Sequence, residues 1–506
     1  MSSENQFDVI VVGGGNAALC AALSAQEHGA RVLVIEAASK EDRGGNSRFA
    51  GTIFRTTHNG LGSIKPFLCE EAAKDVHLCA IEPYTKEDYN RDLSNVSHGR
   101  NDPATSEVLL DQSWPIIEWM YKKGVKWETT TRKYYNVEGQ KGKVINVEPG
   151  AAIMVRNSGV GLIENLYAAV ERTAYGPNPI TIKYDCPGHD LITSGDMVLG
   201  VRTRQRGSYV DIYGHVILAS GGFSSNPAMR RQYLGEGWDL VLVRGTKYNT
   251  GTMLCRAIDA GARTVGHWGA AHASPQDFHG PLMGDIKISP HIPRYAYQYG
   301  ITVNVNGQRF FDEGEEYWEK TYAKTGKKIA DQPEAKAYQI FDQQAIHLLP
   351  KRYETATPIW ADSIDQLATK IGVSTQALKR TVEEYNNACP QSDKFDPHAL
   401  DGLHTNNSIL IPKSNWALRI DKGPFVAYAV TCGITFTYGG IQTDTSARAL
   451  NNEGKHMPGL WAVGEVAGGL FYHNYPGGAG LTKGAVFGRI AGREAALSRL
   501  SARSRL

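Results

Sequence analysis

Six residues near the start of the chain have the types and spacing of a phosphate cradle. Gly13-Gly14-Gly15-Asn16-Ala17-Ala18 fits Gly-x-Gly-x-x-Ala. Gly13 permits a tight turn, Gly15 lets a backbone approach a pyrophosphate, and Ala18 lets a helix pack closely on a sheet. A helix starting at Asn16 and Ala17 aims amide hydrogens and a partial positive charge at phosphates. Glu36, with Ala37 beside it, closes the next apolar run. A carboxylate there can accept both ribose hydroxyls, and it disfavours a ribose 2′-phosphate.

Those residues need a strand, a turn, a helix and a second strand to hold them. Phe7 to Val12 (FDVIVV) is apolar and β-branched, as a buried parallel strand is. Asn16 to His28 has helical apolar spacing and Gly29 ends it, while Arg31 to Ile35 reads as another buried strand. This unit leaves FAD and NAD open as ligands. Three later segments bear on the choice. Arg43-Gly44-Gly45-Asn46-Ser47 is followed closely by Ala50-Gly51-Thr52. His215 to Gly222 (HVILASGG) is an apolar strand entering a glycine turn. Gly459 to Gly469 (GLWAVGEVAGG) is another, followed by His473 to Lys483 (HNYPGGAGLTK) and an amphipathic last helix.

In this order the segments resemble the FAD-dependent fumarate reductase and succinate dehydrogenase flavoprotein superfamily, collinearly over nearly the whole chain. The resemblance implies FAD as cofactor. It implies an α/β fold with a Rossmann-type FAD-binding domain split in sequence (1–266 and 437–506) around an inserted α+β substrate-capping domain (267–436). Gly45, Asn46, Ser47, Gly51 and Thr52 would run past the phosphates and isoalloxazine, and Ser220 and Gly221 would end the middle strand on the same cofactor. Thr250 and Gly251 would approach from the start of the cap. Gly464 and Glu465 would close over the pyrophosphate and ribityl chain, and Gly478, Gly480 and Leu481 would offer amides to the pyrimidine edge. Succinate dehydrogenases attach FAD to a His in the stretch that is Arg48-Phe49-Ala50 here, so non-covalent FAD is expected.

The middle of the chain has a different texture. Ile301 to Phe311 (ITVNVNGQRFF), with Asn306-Gly307 as turn, reads as a β-hairpin. Ser363 and Ser374 stand as helix N-caps, with 374–387 as the helix that closes the family's cap and 391–407 as a surface loop. Where fumarate reductases carry an Arg, a His and an Arg for their dicarboxylate, this chain has Tyr317, Phe436 and Tyr475; only their early cap His is matched, as His272. Without those guanidiniums the bidentate carboxylate clamps are gone, so fumarate itself is not expected. Asn474-Tyr475-Pro476-Gly477-Gly478 instead resembles the tricarballylate dehydrogenases, which also share Asp312-Glu313-Gly314, and the 3-ketosteroid dehydrogenases. In the latter a Tyr-Pro-Gly segment polarises a ketone. Tyr475 then either donates to a substrate oxygen or packs over the flavin.

The expected reaction is desaturation, or its reverse, at a CH–CH bond next to a carboxylate or ketone. Candidates for proton transfer are Tyr317, Tyr322, His272 and Tyr475. Arg294 and Arg309 could bind an anionic substrate, with His473 assisting. An FAD oxidase acting on C–N or C–O bonds with O2, and a non-catalytic flavin-binding partner, are the competing readings. The substrate, direction, electron acceptor and oligomeric state stay open.

Composition narrows the classes. The 54 Lys plus Arg against 52 Asp plus Glu give a net charge of +2, which makes no electrostatic case for nucleic acid or an anionic membrane surface. No apolar run approaches a membrane span. Met1 to Asp8 is polar, so no secretory signal is expected. The 7 cysteines are scattered without a Cys-x-x-Cys pair, which argues against a disulfide framework or a metal site. Ser504-Arg505-Leu506 resembles the Ser-Lys-Leu peroxisomal address, so a peroxisomal location is expected if it is read, and a cytoplasmic one otherwise.

Overall fold

The computed structural model describes residues 5–138, 142–392 and 394–503; Ser504-Arg505-Leu506, on which the expected location rests, lies outside them. Two mixed sheets dominate. In the first, β-branched runs buried on both faces give parallel strands. Gln6–Val12 lies between Val32–Ile35 and Ser208–Leu218, with Val11 beside both Val34 and Ile217. His456–Ala462 continues in parallel beyond Ser208–Leu218, and Thr181–Lys183 beyond Val32–Ile35. Residues from both ends of the chain therefore share one sheet. The first helix, Asn16–Glu27, packs against the last, Ala479–Arg503. Two polar ties fix that pairing: Asn16 Nδ2 donates to Leu481 O at 2.9 Å, and Ser24 Oγ to Arg489 O at 2.7 Å.

The second sheet is built on Phe425–Thr437. Leu242–Val243 runs parallel to it, and Lys336–Phe341, Ala271–Asp277 and Ile359–Ala361 run antiparallel. Helix Trp318–Ala330 lies on the Ala271–Asp277 strand. Ser363 and Ser374 cap helices Ile364–Ile371 and Thr375–Ala388, accepting from Gln366 N at 3.2 Å and Ala377 N at 3.3 Å. The expected 301–311 hairpin needs correcting. Only Ile301–Asn304 is a strand, and its ladder partner is Lys336–Phe341. The Asn304 side chain accepts from the turn amides of Asn306 and Gln308 at 3.0 and 3.1 Å, and the returning chain makes one bridge, Val303 to Arg309. It then departs because Arg309 ion-pairs with Glu313 and donates to Ile411 O at 2.6 Å. Among the described residues no helix is long and apolar enough to cross a membrane.

A buried charge cluster fastens these parts together. Arg55 is 0% exposed and donates to Asp92 at 3.1 Å, Glu148 at 3.1 Å, Tyr84 at 2.8 Å and the Gly477 carbonyl at 2.9 Å. Lys320, from helix Trp318–Ala330, reaches Asp92 at 3.0 Å. Burial opposes the Arg55 charge, but Glu148, Tyr84 and Asp92 outweigh it and hold the guanidinium protonated. Removing one member of such a set strands opposite charge in the interior. Arg55→Met should therefore cost about 3–5 kcal/mol of unfolding free energy, read from the midpoint of a urea titration at unchanged slope.

Candidate active site

A cleft opens at the carboxyl ends of four parallel strands, where the chain leaves Val12, Ile35, Leu218 and Ala462. Crevices at that edge are where α/β sheets bind ligands. It holds about 1900 Å³ of space with its mouth included. Every residue expected at the cofactor lines it: Gly13, Gly15, Asn16, Ala17, Glu36, Ala37, Gly45, Asn46, Ser47, Gly51, Thr52, Ser220, Gly221, Thr250, Gly251, Gly464, Glu465, Gly478, Gly480 and Leu481.

The glycines of the first turn differ in what they answer to. Gly13 has φ +117°, and a Cβ there would lie 2.4 Å from Ala219 O, so the fold itself demands glycine. At Gly15 a Cβ would meet Ser47 Oγ at 3.3 Å and Gly44 O at 3.4 Å, a milder crowding that a small shift of Ser47 relieves. The helix behind it begins without a side-chain cap, and the Asn16 amide reaches Ser47 Oγ at 3.1 Å. A helix start of this kind welcomes an anion.

Glu36 is buried. One of its oxygens accepts from Ala38 N at 2.9 Å; burial pushes the carboxyl up and backbone amides hold it down. Ser220 Oγ, Asn249 Oδ1 and Thr435 Oγ1 are buried on the cleft wall and have no hydrogen-bond partner among the described residues. Buried polar atoms in native proteins are satisfied, so these fit a polar ligand such as a dinucleotide. Glu465 does more than line the wall. Its oxygens accept from Asn249 Nδ2 at 3.1 Å, Thr437 N at 2.8 Å and Asn46 Nδ2 at 3.3 Å, which ties three distant segments to one carboxylate.

Another stretch of the cleft is an aromatic chamber. Tyr322 and Tyr475 place their hydroxyls 2.6 Å apart. The His272 ring lies 4.9 Å from Tyr322, 5.1 Å from Tyr475 and 5.3 Å from Phe436. Burial pushes Tyr475 up to about 12 although the Tyr322 bond and the Gly478 amide oppose it. Tyr322 rises well above the ordinary phenol range, first through burial and then through Tyr475. His272 is pushed down to about 3 by burial and by Arg244, so its imidazole is neutral.

Four expected catalytic residues stand outside this cleft, each with a physical reason. Tyr317 precedes helix Trp318–Ala330 and packs on Trp416, with ring centroids 6.1 Å apart. Arg294 is consumed by Asp277 at 3.0 Å and by the carbonyls of His291 and Arg352, both at 3.0 Å. Arg309 braces the 301–313 segment as described above. His473 stacks on His98 at 4.4 Å, near His267. Conversely, Lys133, Tyr134, Arg244, Tyr295, Trp318, Phe436, Tyr438, Phe471, Arg352 and Lys483 line the cleft, none of them expected as functional residues. Arg244 lies six residues before Thr250, Lys483 ends the quoted His473–Lys483 segment and Phe436 stands where the family carries a His, which were their available signals; Lys133, Tyr134, Tyr295, Trp318 and Arg352 sit in runs without motif.

A family model described as an FAD binding domain matches residues 8–481. NADH:fumarate oxidoreductase of Klebsiella pneumoniae (strain 342) is 26% identical over 98% of this chain but 48% of its own length. The chain thus spans about half the length of the first curated relatives it matches. Vinyl phenol reductase of Lactiplantibacillus plantarum is 24% identical over 98% of this chain and 97% of its own. The crystal structure of 3-ketosteroid delta1-dehydrogenase from Sterolibacterium denitrificans has the same fold. Its TM-score is 0.72 at 21% identity, covering 98% of this chain and 100% of that one.

The two glycines give a paired prediction. Gly15→Ala should fold with a melting temperature lowered only slightly yet lose its flavin colour on gel filtration, because its Cβ crowds the cradle beside Ser47. Gly13→Ala should lower the melting temperature itself.

Proposed function

The chain belongs to the family of FAD-binding domains whose model it matches, and on that premise we propose that it is an oxidoreductase acting at a carbon–carbon bond next to a carboxylate or ketone. The supporting observation is the buried Tyr322–Tyr475 hydroxyl pair, 2.6 Å apart in the same cleft as the phosphate cradle. FAD, held non-covalently because Arg48-Phe49-Ala50 offers no histidine, supplies the hydride exchange. Residues 267–436 act as the cap that carries Tyr322, and residues on either side of them supply the cradle. Reductases acting on fumarate and vinyl phenol and a steroid dehydrogenase are the relatives named above, which supports the class of bond.

The chain's own residues handle the proton. Hydride arriving at the β carbon leaves negative charge on the α carbon and its carbonyl. A phenol held protonated can donate to that α carbon, and a second phenol hydrogen-bonded to it stabilises the phenolate left behind. Tyr295, Tyr438, His272 and Arg244 surround the pair; none is a carboxylate that could take its proton. Burial keeps both phenols protonated at ordinary pH, which suits alkene reduction. Desaturation would first require a proton loss that the same burial opposes. His272, neutral throughout, orients the substrate and supplies no imidazolium.

Tyr475→Phe and Tyr322→Phe should each slow re-oxidation of the reduced enzyme by unsaturated carboxylates and enones about 10²-fold or more while retaining FAD. Normal rates in both variants would sink the proton role. The pH profile provides a second check. A donor is lost as pH rises through its pKa, so with Tyr475 near about 12 the rate should stay level to about pH 9 and fall only beyond. A decline centred near neutrality would instead assign the proton to Lys133, which burial, Arg352 and Arg244 push down to about 7.

A further inference from the structure

We propose that Arg244, Arg352 and Lys133 form an anion-binding end of the substrate chamber, and that the substrate is a monocarboxylate whose unsaturation sits on a planar, apolar body. The inference rests on the reading of the cleft as an alkene-reducing site and names the class of molecule that enters it.

All three cations line the cleft. Arg244 is 7% exposed and donates to Phe49 O at 2.9 Å, and its Nε is buried without a hydrogen-bond partner among the described residues. The Arg352 guanidinium lies over Tyr134 at 4.7 Å and Tyr295 at 5.4 Å. Lys133 donates to Ser158 Oγ and, at 3.4 Å, to Gly51 O. Arg244 and Arg352 are close enough to act electrostatically on both Lys133 and Tyr134. Among the described residues no carboxylate forms an ion pair with any of the three. Glu128 influences Lys133 but does not line the cleft. The cleft's own carboxylates, Glu36 and Glu465, are engaged elsewhere.

Like charges gathered in a partly buried wall repel one another unless an anion joins them. A carboxylate satisfies a guanidinium fork in two parallel bonds, and the half-buried Arg352 guanidinium in the cleft lining offers such a fork. Arg244 is close enough to act on Tyr475, while a run of rings leads from the Arg352 guanidinium to the phenol pair. Tyr134 meets Trp318 at 5.0 Å, Trp318 meets Tyr295 at 5.0 Å, and Tyr295 meets Tyr322 at 4.9 Å. Phe436, Phe471 and Tyr438 complete the chamber beyond Tyr475; the Lys483 ammonium, 5.4 Å over Phe471, is engaged by the Ala467 carbonyl and neighbours Glu465. One cationic end and an aromatic remainder suit a molecule with one carboxylate and a flat apolar body, and leave a second carboxylate unpaired.

The test is binding of cinnamate, its methyl ester and fumarate to the oxidised, FAD-loaded enzyme, read from perturbation of the flavin absorbance. Cinnamate should bind at least about tenfold tighter than either of the others. Arg352→Gln and Arg244→Met should erase the preference of acid over ester while flavin content and ester affinity hold. If Arg244→Met fails to fold, Arg352→Gln, which alters a half-buried side chain, decides. Equal binding of acid and ester by the unaltered enzyme, or a preference that survives both variants, would overturn the proposal. So would loss of flavin from both variants, since the cations would then serve the cofactor's phosphates. Cinnamate that binds but never re-oxidises the reduced enzyme would count against the reaction and leave the anion site standing. Re-oxidation by enones with no carboxylate preference would do the reverse.

Discussion

A carboxylate taken out of water must have its oxygens satisfied, and Glu465 meets that demand with residues far apart in the chain. Burial raises its proton affinity, and the bonds from Thr437 and Asn249 lower it again. Asn46 follows the second strand, Asn249 precedes a helix start, and Thr437 ends the central strand of the other sheet. The cleft exists because these three pieces meet at one point. Asn16 plays a similar part nearby, joining Ser47 to the backbone of Leu481. The cradle is thus a junction between both ends of the chain.

The same desolvation organises the chemistry of the chamber. A low-dielectric wall penalises whichever form is charged. It pushes Tyr322 and Tyr475 up and His272 and Lys133 down, so phenols, imidazole and amine all tend toward neutrality. A guanidinium as a chemical group resists losing its proton, which is why an anion is drawn to the arginines and a proton donor is found among the phenols. Proton handling and substrate anchoring share one wall, with Arg244 next to the phenols and Arg352 a few rings away.

The motif-bearing part of the site was legible in the sequence because its physics is local. A β-branched run followed by glycines and a helix start can fold in few ways, and Gly13, Glu36 and Ser374 each do the work their neighbours in sequence require. The resemblance to known flavoproteins then placed the distant glycine turns on the same cleft. The same reasoning misassigned Arg294 and Arg309. A guanidinium's type says what it can bind, and only packing says what it has already bound: Asp277 for one, Glu313 for the other. Tyr317 missed the cleft by one residue, since its neighbour Trp318 faces in.

By itself, then, the sequence determined a parallel-stranded dinucleotide cradle, its glycine turns and a tyrosine beside it, because turn geometry and helix capping act over a few residues. Tertiary structure alone decided that Tyr322 meets Tyr475 and that Lys133, Arg244 and Arg352 share a wall. Those groups come from separate helices and loops, and the burial that tunes them belongs to no single segment.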